Sequence, residues 1–216
     1  MKTLFLGTAC LLTVLAAGLC LAYPTPAIVP APQEWTLDVL YGQPKQITVE
    51  IPTKNRGRVK GRFWYIILTL TNNADSDADF YPVCDLMTDT FKITPAGKNI
   101  RKLVFDKIKL LNQGSYPFLE PVEYINNKIL EGQDNAKDIA IIWPDFDPKA
   151  KNIDLFISGL SNEVAVIDHP VKTDENGKPL KVYLRKTLNL RYSIGGDQKL
   201  RATAKLRFKE KNWVMR

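Results

Sequence analysis

The run Val59 to Asn73 constrains the fold more than any other part of the chain. Successive side chains of an extended strand point to opposite faces. Trp64, Ile66, Leu68 and Leu70 therefore share one face, and Phe63, Tyr65, Ile67, Thr69 and Thr71 share the other. Both faces are largely apolar, so this strand must be covered on both sides and belongs in the middle of a sheet. Asn72-Asn73 and the Asp-rich segment after them are turn residues and end it.

The same period of two recurs along the chain. Trp35, Leu37, Val39 and Tyr41 alternate with polar residues, as do Ile47, Val49 and Ile51. Phe80 to Phe91, Asp138 to Trp143, Asn152 to Gly159 and Glu163 to Asp168 read as further short strands. Ile100 to Asn112 is different: Leu103, Val104, Ile108 and Leu111 recur at helical spacing, which predicts one short helix. Asp174 to Lys178 carries Asn-Gly, a tight-turn signal. At the end of the chain a hairpin is expected. Val182, Leu184, Leu188, Leu190, Tyr192 and Ile194 form its first apolar face, with Lys186 as the exception. Gly195-Gly196-Asp197 turns, and Leu200, Ala202, Ala204, Leu206 and Phe208 form the second face. Many short strands with one helix predict an all-β antiparallel sandwich rather than a parallel α/β sheet.

The N-terminus reads as a cleavable secretory signal peptide over residues 1–22. Lys2 supplies the positive charge, Leu4 to Ala17 the apolar core, and Cys20 and Ala22 the small residues before a cut at Tyr23. Two alternatives stand beside it. Leu4 to Ala22 is nearly long enough to remain as an anchor. Lipid attachment at Cys20 fits poorly, because Leu19 precedes it. Residues 23–34 hold four prolines in the first ten positions and are expected as an extended leader. Residues 35–216 make one domain. No later run is apolar enough to cross a membrane. The exported form then keeps one thiol, Cys84, expected to be buried and without an internal disulfide.

The run Phe63-Trp64-Tyr65-Ile66-Ile67-Leu68-Thr69-Leu70-Thr71-Asn72-Asn73 resembles the central strand of small immunoglobulin-like modules in bacterial exported proteins. Ile129 to Leu160 is similar to another part of such modules, with a Gly-containing turn, a strand ending in an aromatic residue, an acidic-Pro loop and a further strand. The likeness spans roughly Trp35 to Tyr192. It implies an immunoglobulin-like sandwich acting as an accessory interaction domain, without catalytic residues to transfer. The paired cysteines of antibody domains are missing.

Charge is the strongest pointer to a partner. From Lys178 to Arg216 there are 12 basic and 2 acidic residues, whereas Tyr23 to Gly177 holds 17 basic and 21 acidic. Arg185, Arg191, Arg201, Lys205, Arg207 and Lys209 all lie opposite the apolar faces of the terminal hairpin, which predicts one basic face for an anionic partner. Lys54, Arg56, Arg58, Lys60 and Arg62 form a second period-two stripe. Nucleic acid is a poor candidate, since the compartment is wrong and the aromatic interleaving of single-strand binders is missing.

No catalytic, cofactor or metal constellation is legible. His169 is the only histidine, Cys84-His169 has no support beyond the presence of both residues, and no nucleophile elbow or P-loop occurs. Asp75-Ser76-Asp77-Ala78-Asp79 opens like an EF-hand, but Phe80 and Leu86 stand where Gly and Glu are required. A looser calcium site with Asp145 or Asp147 stays open. Glu120 and Glu123 share a segment without further signal. The expectation is a non-catalytic interaction module at the cell envelope, periplasmic or extracellular, with an anionic envelope component or a protein as partner. Alternatives are a structural subunit that self-associates through an edge strand, or a hydrolase with an acidic site.

Overall fold

The computed structural model describes residues 23–53, 57–125, 127–196 and 202–216. The predicted signal peptide lies outside them, as do Lys54, Arg56, Leu200 and Arg201. The chain passes through β1 (Asp38–Tyr41), β2 (Lys45–Thr53), β3 (Gly57–Asn72), β4 (Ala78–Asp79), β5 (Val83–Thr88) and β6 (Ile93–Pro95). Helix α1 (Lys102–Asn112) follows, then β7 (Glu120–Pro121) and a 3-10 turn (Val122–Tyr124). The remainder is β8 (Lys128–Ile129), β9 (Gly132–Pro144), β10 (Asn152–Ser158), β11 (Val164–Thr173), β12 (Pro179–Ile194) and β13 (Leu206–Met215). No helix among the described residues is long and apolar enough to cross a membrane.

Strand β3 is central, as its two apolar faces require. In the first sheet it pairs with β9 on one side and with β1 and β2 on the other, and β7 closes the far edge. In the second sheet β12, β10, β5 and β6 are successive neighbours, with β11 and β13 also on β12. The two faces of β3 reach two cores. Trp64, Ile66, Leu68 and Leu70 pack between the sheets with Leu155, Ile157, Leu188, Leu190 and Tyr192. Phe63, Tyr65 and Ile67 pack outward beneath α1, against Val104 and Ile108. The chain changes sheet repeatedly: β3 lies in the first, β5 in the second, β9 returns beside β3, β10 pairs with β5, and β12 pairs with β10.

Several boundaries differ from the sequence reading. Trp35 to Leu37 is held by separate contacts, with Thr36 bridging Ser161, and regular pairing starts at Asp38. The strand expected to end at Asp168 continues to Thr173, where the Asp174 turn returns it into β12. This hairpin extends past the rest of the sheet. Residues 165–173 and 179–184 pair only with each other, because β13 and β10 accompany β12 from Lys186 and Thr187 onward.

The last strand also departs from expectation. It runs from Leu206 to Met215, later than Leu200 to Phe208. A bulge sets Arg191 opposite Glu210 and Tyr192 opposite Phe208, so Lys209 is the extra residue. The alternation slips by one there. Lys211 consequently faces the core side opposite Leu190, with its ammonium over the Tyr41 ring.

The proline-rich leader is tied down. Ala27 N–H donates to Glu163 Oε1 at 2.6 Å, and Glu163 pairs with Lys186 at 2.8 Å. Both charged side chains are about 8% exposed, which explains how Lys186 sits on an apolar face. Asn162 fixes the leader's end through Trp35 N–H and Gln33 O.

Candidate functional site

The terminal hairpin does not assemble its cations into one patch. Arg185 stands where the protruding arm meets the sheet, and its main-chain N–H and C=O exchange hydrogen bonds with Arg216. Arg207 lies at the other end, opposite Ser193. Eight residues of strand separate the two rows, about 27 Å at ~3.4 Å per residue. Arg191 lies between them and is engaged. It donates to Asp154 at 2.8 Å and lies 3.7 Å from Glu210. The Asp154 hydrogen bond and charge push its pKa above the ordinary guanidinium value. Arg216 similarly bridges to Asp85 at 3.2 Å and covers the Phe156 ring. The middle of this face is thus a charge-paired solvent surface. Arg201 lies outside the described residues.

A cationic pole remains at the β12–β13 turn. Lys205, Arg207 and Lys209 are exposed there and make no ion pair among the described residues. Lys151 joins them, since its carbonyl accepts from Ile194 N–H just before the turn. Sequence reasoning missed Lys151 because it comes from the β9–β10 connection, with no period-two signal. The acids described at this end are occupied. Asp145 accepts from Arg62 and from Trp64 Nε1. Asp147 is held by the Lys149 N–H, Lys92 and Thr90, which bring its pKa to about 2. Asp89 caps the main-chain N–H groups of Lys151 and Asn152. Asp145 and Asp147 are thus offset by Arg62 and Lys92, which leaves the lysines and Arg207 as the unpaired cations of this end among the described residues.

Arg185 forms a second feature. It makes no ion pair among the described residues and lines two shallow clefts. One, of 340 Å³, lies between Trp35, Tyr81, Asn162 and Val164. The other, of 410 Å³, lies between Val83, Phe156 and Arg216.

The remaining candidates are taken up structurally. Cys84 is buried in the core between the sheets, and burial, then Glu123 and Asp85, push its thiol far above the ordinary value. His169 Nδ1 accepts from Val171 and Lys172 N–H on the arm, so the two residues form no dyad. Asp77 accepts from Glu131 N–H, while Asp145 and Asp147 serve the bonds above, so the loose calcium site is not assembled. Among the described residues no group of three or more His, Cys, Asp or Glu is placed to hold a metal ion. Glu120 lies 3.9 Å from Lys137. Glu123 instead packs on Gly97 beside α1, where burial raises its pKa. In the other basic stripe, Arg62 is bound to Asp145 and Arg58 lies 3.8 Å from Glu50.

Comparison of the chain with protein families, with curated proteins and with solved structures finds no match.

Proposed function

We propose that the protein is an exported, non-catalytic interaction module of the cell envelope that meets an acidic envelope polymer through Lys151, Lys205, Arg207 and Lys209. The observation that carries this reading is the pole itself: among the described residues, its cations make no ion pair, and Asp145, Asp147, Asp154 and Asp89 on the same end are each bound. Arg185 and Arg191, grouped with these residues by sequence, belong to other parts of the surface.

An immunoglobulin-like identity for the body goes with this reading. Its support is the order of sheet changes. With β1 and β2 as strand A, β3 as B, β5 as C, β9 as E, β10 as F and β12 as G, the chain follows the A-B-E and C-F-G connectivity of that fold. The protruding arm is then an elongated F–G hairpin, and the cationic pole lies at the opposite end of strand G.

Each cation near an anionic surface contributes roughly 1 kcal/mol, so replacing three should weaken binding on the order of 100-fold. Binding of the purified protein to an acidic polysaccharide, to anionic vesicles and to neutral vesicles is the test. The variant Lys205→Gln/Arg207→Gln/Lys209→Gln is measured alongside. Attraction should fall steeply with salt, as screening shortens from ~10 Å at 0.1 M to ~3 Å at 1 M. Equal binding to neutral and anionic targets, or an unaffected triple variant, refutes the reading. Preference for vesicles over the polysaccharide would make the partner a lipid surface.

A further inference from the structure

We propose that two copies of this chain associate through β11, edge to edge and antiparallel, with Val166 on the two-fold axis. This inference is independent of the polyanion reading, because it concerns the opposite end of β12.

The arm is an incomplete structure. A two-stranded ribbon standing alone is marginally stable in water, and a third strand or a packing partner normally supports it. One face has such support at its base, where the leader reaches Glu163 on the side of Ala165, Leu184 and Lys186. The other face carries Val164, Val166 and Tyr183, which are 44%, 51% and 67% exposed. The outer edge of β11 pairs with no strand among the described residues.

This edge differs from the others. Proteins blunt sheet edges with charge, proline or short length. Strand β13 carries Arg207, Lys209, Glu210 and Lys211. Strand β2 carries Lys45, Glu50 and Pro52, and β6 and β7 are short and hold Pro95 and Pro121. Strand β1 has four residues. By contrast, Val164 to Ile167 is apolar on both faces and bears no guard until Asp168 and Pro170.

The hydrogen-bonding register selects the pairing. Lys186 N–H donates to Glu163 O, so Glu163 faces β12. Antiparallel alternation then turns the N–H and C=O groups of Val164, Val166 and Asp168 outward. Pairing this edge with itself about Val166 sets Val166 against Val166 and Val164 against Asp168 of the second copy. About six main-chain hydrogen bonds can form.

Side chains agree with this register. Val164 is paired with Arg185, Val166 with Tyr183 and Asp168 with Lys181. Across the new seam the central row becomes Tyr183, Val166, Val166 and Tyr183. Each flanking row becomes Arg185, Val164, then Asp168 and Lys181 of the second copy. Asp168 already accepts from Lys181 of its own copy at 2.6 Å, and Arg185 joins that pair from two strand spacings away, about 10 Å between α-carbons and within a long side chain's reach.

Sedimentation velocity over a concentration series is the test. Wild type should show a reversible monomer–dimer equilibrium. Val166→Asp should weaken it at least tenfold, because two carboxylates then face each other, and Val166→Lys should do the same. An equimolar mixture of those two variants should restore the dimer, which a merely misfolded variant could not do. Val166→Cys should cross-link to itself under mild oxidation, since an α-carbon separation of about 5.5 Å suits a disulfide. The Lys205/Arg207/Lys209 variant should dimerise like wild type. A wild type that stays monomeric throughout the series, or a dimer that survives Val166→Asp, overturns the proposal.

Discussion

Trp64 shows how single residues decide this fold. It is 2% exposed, its ring lies 5.3 Å from that of Phe146, and its Nε1–H donates to Asp145 Oδ1 at 2.9 Å. Asp145 Oδ2 accepts from Arg62. One side chain thus fills the core and fixes the loop that leads to Lys151. Trp64→Ala should cost about 3–5 kcal/mol, the usual range for deleting a buried large aromatic. A urea midpoint series checks this, and a loss under about 1 kcal/mol would mean the cavity collapses or the ring is dispensable. The position was legible in the sequence, since Trp64 heads one apolar face of β3. Its bond to Asp145 was not, because the partners lie on different strands with no spacing to connect them. Cys84 is a parallel case: its burial followed from the strand-like run that carries it.

At the scale of elements, alternation gave the longer strands of both sheets but not the short β6 and β7, and helical spacing gave α1 to within two residues. What alternation could not give is what breaks it. The Lys209 bulge shifts the final strand by one residue, and a period-two reading has no signal for that slip. The arm escaped notice because Pro170 and the charged turn resemble the end of a strand. The leader was read as a spacer, since proline content sets stiffness and says nothing about docking. Its anchor is Glu163. Burial raises that carboxyl's pKa, but the Lys186 hydrogen bond and the Ala27 N–H outweigh burial, and the net shift is downward from 4.5. Ionised Glu163 therefore stabilises the fold fully above pH 4.5, and this contribution is lost as pH falls through the lowered folded value. Hydrogen exchange at Ala27 should accelerate over that acid range while the β3 core stays protected. Glu163→Gln should leave Lys186 buried without a counter-charge and cost about 3 kcal/mol. In that variant Ala27 exchange should be fast already at neutral pH. Unchanged Ala27 protection would show that the leader is held by other contacts.

The molecule as a whole places its two proposed interactions at opposite ends of one 16-residue strand. The arm end is apolar and self-complementary; the turn end is cationic. Joining two copies at the arm would hold two cationic poles far apart on one rigid body, both able to reach an extended polyanion. A second contact made from an already bound body is intramolecular, so avidity can exceed single-pole affinity by 10²-fold or more, roughly, when the geometry permits both. Val166→Asp leaves Lys151, Lys205, Arg207 and Lys209 untouched. It should nevertheless lower apparent affinity for a surface densely coated with acidic polymer by at least about tenfold, while binding to a short acidic oligomer stays at the wild-type value. The salt responses should separate the two terms. Pole binding weakens with ionic strength, whereas the main-chain and apolar contacts at Val166 are little screened. Surface binding measured at two coating densities, with wild type and Val166→Asp at equal concentration, decides the matter. Equal losses on dense surface and short oligomer would mean that the substitution acts on the pole itself, and equal retention on both would mean that one pole suffices.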